Sequence, residues 1–387
     1  MAFRRAQWIP GLVACLVLAD VTLAGVLLSR RQVADRASAL GVLAPGGLAA
    51  SLDRLQRAAA QDTLVLREGH QVAHALGRQA VRASGGDASV IGQCRPDFGS
   101  GCYHGVVEAF VQTRGRVDMA ELELMCVAAG SDERPGPVSE CMHGLGHGVL
   151  AATGFDLPAT LHLCDDLRPA FRDPCYSGAF METINSAMGV GLRGAAAPGR
   201  HHAGMASANA PSVDPADPYS PCDRFDNPYG SACWLLQGFL ILRRVGYDAG
   251  EAFRICDGAP TGRVTGCYES IGHQLTGLFQ RDDAWIIAQC GRGRAELAPV
   301  CAGGAAHALA QIDWSGGRAA RFCAAALPEW KEACYRTAAA VLATLTPRDE
   351  RTALCRAIEP AYEETCRRAL GRTIFGDTVR YTSVGEP

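Results

Sequence analysis

Three stretches of the chain place one potential metal ligand four residues from another: His70 and His74, His104 and Glu108, His143 and His147. Four residues is about one turn of an α-helix, so each pair would lie on one helix face, stacked along its axis. Imidazole with carboxylate suits transition metals, and this donor set does not separate zinc, copper, iron and nickel. Such an ion holds nitrogen at about 2.0–2.1 Å, and helices about 8–10 Å apart can present facing imidazoles to it. The expected ligand set is His70, His74, His104, Glu108, His143 and His147, with Glu108 also the candidate base of a metalloenzyme. Glu269, His273 and His307 repeat the pattern later and form a second candidate set, or complete the first if the chain curls; Glu182 sits one residue out of register. The plainer reading is that each histidine caps, packs or meets solvent. His162, His201 and His202 lie off the pattern and are expected at the surface.

The histidines keep register with the cysteines. After Cys15, 16 cysteines fall into eight consecutive pairs: Cys94/Cys102, Cys126/Cys141, Cys164/Cys175, Cys222/Cys233, Cys256/Cys267, Cys290/Cys301, Cys323/Cys334 and Cys355/Cys366. Successive second cysteines are 39, 34, 58, 34, 34, 33 and 32 residues apart, the period of stacked helical hairpins. Counted from the second cysteine, His104 and His143 occupy position two, and His147, His273 and His307 position six. Projecting the period back to Glu68 gives His70 and His74 the same two positions, in a first hairpin without a staple.

Between the cysteines, stretches such as CWLLQGFLILRRV and DAWIIAQC show apolar residues at three and four, punctuated by Gly, Asp and Pro. Each unit is expected to be a helix ending at its first cysteine, a loop, and a second helix opening at its second cysteine. Tetrahedral zinc sites use CxxC-like spacing, whereas ten residues separate most of these cysteines, so they are expected to be disulfides within each hairpin. Gly105, Gly144, Gly178 and Gly304 fall three residues after the cysteine, and Gly146, Gly238, Gly272 and Gly371 five after it. Each costs about 1 kcal/mol of helix propensity, which points to close approach of backbones or of a ligand. Tyr103, Tyr176, Trp234, Tyr268 and Tyr335 directly follow second cysteines and are expected to pack on the disulfides.

This organisation resembles the cysteine-rich Sel1-like and tetratricopeptide-like solenoids, whose hairpins of about 36 residues each carry a disulfide. The resemblance covers about residues 50–375, with wider cysteine spacing, and implies a fold but no active site. The expected fold is all-α: an α-solenoid of about nine hairpins, eight of them stapled, over residues 48–375. A Gly-, Ala- and Pro-rich insertion at 189–221 reads as a loop over one face, and 376–387 as a tail. Asp214, Asp217, Asp223 and Asp226 within or beside that loop lack the ligand order of a calcium loop and read as turn residues.

Residues 9–29 are apolar apart from Asp20 and Thr22, and about 20 residues span a bilayer. Arginines flank both ends, so charge does not orient this segment, but disulfides place the C-terminal body outside the cytoplasm. The expectation is a cytoplasmic tail and signal-anchor over 1–31, a linker over 32–47, and a membrane-anchored ectodomain. A cleaved signal peptide is the rival reading, and Cys15 after Leu12-Val13-Ala14 resembles a lipidation site with almost no apolar run before it. Net charge is −3 with 37 basic and 40 acidic residues, which excludes an electrostatic footprint for nucleic acid. No phosphate loop, HExxH or CxxCH haem motif is present. Two function classes remain: a His/Glu transition-metal protein, either enzyme or carrier, and a metal-free scaffold that binds a protein or peptide in the solenoid groove.

Overall fold

Asp caps and left-handed glycines divide this chain into hairpins. Gly154 and Phe155, and again Gly246 and Tyr247, adopt positive φ and stop a helix. Asp156 and Asp248 then accept a hydrogen bond from the backbone N–H three residues on and open the next helix. Asp118 and Asp282 cap in the same way.

The computed structural model describes residues 46–130, 135–188, 213–279, 282–347 and 349–370. Among these the regular structure is entirely helical. The elements are α1 (Gly47–Ala59), α2 (Thr63–Ala83), α3 (Gly101–Arg114), α4 (Met119–Ala128), α5 (Pro135–Ala152), α6 (Leu157–Asp165), α7 (Pro169–Ala187) and α8 (Tyr229–Arg244). The chain continues with α9 (Ala249–Asp257), α10 (Val264–Phe279), α11 (Asp283–Cys290), α12 (Ala298–Ile312), α13 (Gly317–Ala325), α14 (Lys331–Leu345), α15 (Arg351–Arg356) and α16 (Glu363–Leu370). With the 3-10 elements Ala88–Gln93 before α3 and Cys222–Arg224 before α8, the described residues form nine hairpins, and α1 with α2 is the unstapled first one.

In the stapled hairpins a short first element leads into a longer second helix. The long helices α2, α3, α5, α7, α8, α10, α12, α14 and α16 stack in sequence, each against the next. The stack curls far enough for α14 to meet α5, where Gly136 lies against the Trp314 ring and the Leu345 carbonyl.

All eight expected disulfides are present, each within its own hairpin: Cys94–Cys102, Cys126–Cys141, Cys164–Cys175, Cys222–Cys233, Cys256–Cys267, Cys290–Cys301, Cys323–Cys334 and Cys355–Cys366. Their Cα–Cα distances are 5.3–5.9 Å. The aromatic residues after the second cysteines are buried. Hydroxyls among them also tie the hairpins together: Tyr103 donates to the Cys94 carbonyl at 3.0 Å, Tyr268 to Asp257 at 2.9 Å, and Tyr176 to Asp165. Asp214 and Asp217 accept from the N–H groups of Ala216 and Tyr219, which is turn chemistry.

The units differ from the expected ones at both ends of the staple. The second cysteines do not open the long helices but lie inside them. Cys102 is preceded in α3 by Gly101, Cys141 sits well within α5 after Pro135, and Cys175 within α7 after Pro169. Cys233 in α8, Cys267 in α10, Cys301 in α12, Cys334 in α14 and Cys366 in α16 likewise follow helical residues, from Tyr229, Val264, Ala298, Lys331 and Glu363 respectively. The loop between paired cysteines is thereby shorter than their spacing suggests. In α5 the reason is proline, which at a first helical turn gives up an N–H that needs no partner there, so a segment that reads as a turn-rich loop enters the helix instead. At the other end, the element at Cys94 is a 3-10 helix, Ala88–Gln93, and at Cys222 another, Cys222–Arg224. Gly92 in the one, and Pro218 and Pro221 around the other, disfavour a regular α-helix.

Segments 1–31 and 32–47 (up to residue 45), 189–212 with His201 and His202, and 371–387 lie outside the described residues. No described helix is long and apolar enough to cross a membrane.

Each staple closes a short loop, so on the chain-entropy model replacing both Cys256 and Cys267 by Ala should cost about 2.5–3 kcal/mol. Denaturant unfolding of that variant checks it. A midpoint equal to that of the parent would show that the hairpin holds without its staple.

The recurring glycines are sites of backbone contact. A Cβ on Gly178 would collide with the His143 carbonyl, on Gly105 with that of His74, on Gly146 with that of Cys175, and on Gly304 with that of Glu269. Contact this close between α5 and α7, and between α2 and α3, sets how near the histidine-bearing faces stand.

Candidate metal centre

The long helices that approach through glycine carry histidine on the same face. α2 supplies His70 and His74, α3 supplies His104, and α5 supplies His143 and His147. Gly144 lies against His104, with room for a Cβ only at 3.1–3.3 Å from that residue, so α3 and α5 meet at the imidazoles themselves. His74, His104 and His147 are buried, and His70 and His143 partly so. Ring centroids lie 5.2 Å apart for His104 and His143, 4.8 Å for His104 and His147, and 5.0 Å for His143 and His147. His70 stands 5.4 Å from His104, and His74 is 6.1 Å from both.

Within this cluster of five imidazoles, His104, His143 and His147 each offer a ligand atom within 4.8 Å of the others. His143 Nε2 and His147 Nε2 are 3.2 Å apart. Two nitrogens bound tetrahedrally to one ion at about 2.0–2.1 Å stand about 3.3–3.4 Å apart, so the pair is already near coordination geometry. His147 Nδ1 is 3.1 Å from Glu182 Oε2, and a carboxylate only accepts, so the Nδ1–H donates and Nε2 holds the lone pair. Glu182 Oε1 in turn accepts from Ser186 at 2.8 Å. A carboxylate behind a histidine fixes tautomer and ring orientation at many metal sites. His104 Nε2 is buried without a hydrogen-bond partner. An unpaired buried polar atom costs about 1–3 kcal/mol, and an ion held with the His143–His147 pair would give His104 a partner. The donors therefore fit a transition-metal ion.

His70 is held in the same sense. Its Nδ1 is 2.9 Å from the Phe98 carbonyl, so the proton sits on Nδ1 and the lone pair on Nε2. Phe98, Gly99 and Ser100 all have positive φ, a costly run for two non-glycine residues, and it delivers that carbonyl to the ring.

Burial holds His70, His74, His104 and His143 below the ordinary imidazole value, His74, His104 and His143 well below it. Desolvation is the largest cause, with repulsion from the other imidazoles adding to it for all four. Neutral imidazole is the form that binds metal.

Glu108 is placed differently from the expected ligand and base. Its Oε2 accepts from Arg78 Nη1 at 2.9 Å and its Oε1 from Gln112 at 2.9 Å, so both oxygens are engaged. His74 Nδ1 accepts from the same Arg78 Nη1. The second set, on α10 and α12, forms its own pair: His273 and His307 rings are 5.0 Å apart, and Glu269 Oε1 is 3.6 Å from His307 Nδ1. His273 Nε2 meets Gln311 at 2.8 Å and its Nδ1 meets Gln274 at 3.1 Å, so both of its nitrogens are used, and burial lowers it to about 3. His162 is exposed beside Asp165.

Residue spacing gives no sign of Arg78, the Phe98 carbonyl or Glu140, and marks Glu182 only as out of register. Glu140 precedes His143 by three residues on α5, and burial pushes its carboxyl up to about 7 against a hydrogen bond from Ser100. A carboxyl tuned to neutrality is suited to general acid–base chemistry. Comparison of the chain with protein-family models, curated proteins and solved structures finds no match.

Proposed function

We propose that this protein binds one transition-metal ion through His104, His143 and His147, in an ectodomain anchored outside the cytoplasm by residues 9–29. The observation that carries the metal reading is one group of three imidazoles whose ligand atoms lie within 4.8 Å of one another, with His104 Nε2 buried and unpartnered and the Nε2 atoms of His143 and His147 already 3.2 Å apart. Three imidazoles leave a coordination position open, as in catalytic zinc sites, whereas structural sites close the shell with a fourth protein ligand. The geometry thus favours a centre that exchanges a ligand. Eight disulfides and the apolar segment support an oxidising, extracytoplasmic setting.

Elemental analysis tests the reading. The chain made in an oxidising, metal-replete compartment should carry stoichiometric transition metal, and His104→Ala should lose it. A parent without stoichiometric metal would instead favour the groove scaffold.

A further inference from the structure

Arg78 lies one turn beyond His74 on α2 and donates from Nη1 to both Glu108 Oε2 and His74 Nδ1. A guanidinium has donors only and stays protonated. His74 Nδ1 must therefore be the lone-pair nitrogen, and the neutral ring carries its proton on Nε2. This is the reverse of His147 and His70, whose Nδ1–H groups donate to Glu182 and to the Phe98 carbonyl and whose Nε2 atoms are lone pairs. The two nitrogens of an imidazole point away from one another. With Nδ1 turned to Arg78 and Glu108, the Nε2–H of His74 is aimed away from them, while His70 and His104 stand 6.1 Å off. A buried donor held in this tautomer by an arginine cannot ligate an ion, but it can hydrogen-bond to something that does. Imidazole ligates only as the neutral ring, so three of them would leave the charge of an ion uncompensated within its own shell.

Resting on the metal reading, we propose that His74 is a hydrogen-bond donor to a small carboxylate or oxyanion that fills the open position of the His104–His143–His147 centre. Such a ligand gives one lone pair to the ion and accepts the His74 Nε2–H with another. Glu108 and Arg78 act through His74: the ion pair keeps the guanidinium on Nδ1 and so keeps the proton on Nε2.

The experiment uses the full chain loaded with cobalt(II), titrated with azide as the anionic probe and with imidazole as a neutral one, and read by visible absorption. His74→Phe should keep the cobalt content of the parent and its imidazole affinity, while azide binding weakens about tenfold, the loss expected for one hydrogen bond to a charged acceptor. Arg78→Met should weaken azide in the same direction, because the neutral His74 ring can then carry its proton on Nδ1 instead of Nε2 and donate it to Glu108, 3.6 Å away, which leaves Nε2 a lone pair. Loss of cobalt from His74→Phe would overturn the proposal by making His74 a ligand. Azide affinity unchanged in either variant would overturn it too, and Arg78→Met serves alone if His74→Phe does not fold. A parent that takes up no cobalt would instead bring down the metal reading on which the proposal rests.

Discussion

Replacing Gly178 by alanine is expected to destabilise the protein by roughly 2–3 kcal/mol, although alanine is the better helix former. The new Cβ would collide with the His143 carbonyl on α5, a rigid backbone atom, so the two helices must part. His143 carries both that carbonyl and a candidate ligand, and Glu182 on α7 holds His147, so the separation should also spoil the metal site. Gly277→Ala is the matching control: it lies in α10 with nothing within 4 Å of a Cβ, and should be stabilising by about 0.5–1 kcal/mol. Denaturant unfolding of both variants, with metal content measured alongside, checks the pair. Equal stability of Gly178→Ala and the parent would mean that the helices do not approach so closely.

The second large effect is expected from acid. In the folded chain His70, His74, His104 and His143 are held neutral by burial, whereas in the unfolded chain they protonate near pH 6.5. The unfolded state then binds more protons, so stability is fully kept above about pH 6.5 and falls as pH drops from there toward the lowered folded values. An imidazole whose folded value lies far below this range contributes about 1 kcal/mol between pH 6.5 and 5.5, where the unfolded ring goes from half to almost fully protonated, so the metal-free protein can lose up to about 4 kcal/mol over that unit.

Bound metal should add to this dependence. An ion at about 1,000 times its Kd stabilises the folded state by about 4 kcal/mol, and it leaves as the ligands protonate. Thermal melts of zinc-loaded and chelated protein should therefore differ at pH 7.5 and converge toward pH 5. His143→Ala with His147→Ala should abolish the difference at pH 7.5 while the disulfides stay intact. If that double variant kept the chelator-sensitive shift and the metal content of the parent, these histidines would not be ligands.

How far the residues could be read on their own depended on the range of the interaction. Cys164 and Cys175 are close along the chain, so their spacing is enough to indicate a hairpin staple. Where each helix begins is a finer matter: Cys141 and Cys334 have the register of helix starts, yet α5 already begins at Pro135 and α14 at Lys331. His143 and His147 are one helical turn apart, so their shared face follows from spacing. The glycine columns pointed to close approach but left open whether the partner was a backbone or a ligand; the His143 and His74 carbonyls decide it.

Which nitrogen of each ring holds the proton was not legible, because it depends on partners from other hairpins. Glu182 lies 35 residues from His147, and Phe98 lies 28 from His70. Glu108 and His74 have the register of ligands, yet Arg78 engages both, and no spacing rule says where a long flexible side chain on the same face will settle.

The helical hairpins, their local disulfides and the histidine-bearing helix faces are thus properties of the amino-acid order, because each rests on contacts within one repeat. Three other features exist only once the hairpins are stacked: three imidazoles sharing an ion-sized group, His74 turned into a donor, and a second histidine pair set apart with both nitrogens of His273 engaged. Repeat period fixes which residues face the same way, while distance and proton position depend on how closely neighbouring helices approach and on the single side chain that crosses between them.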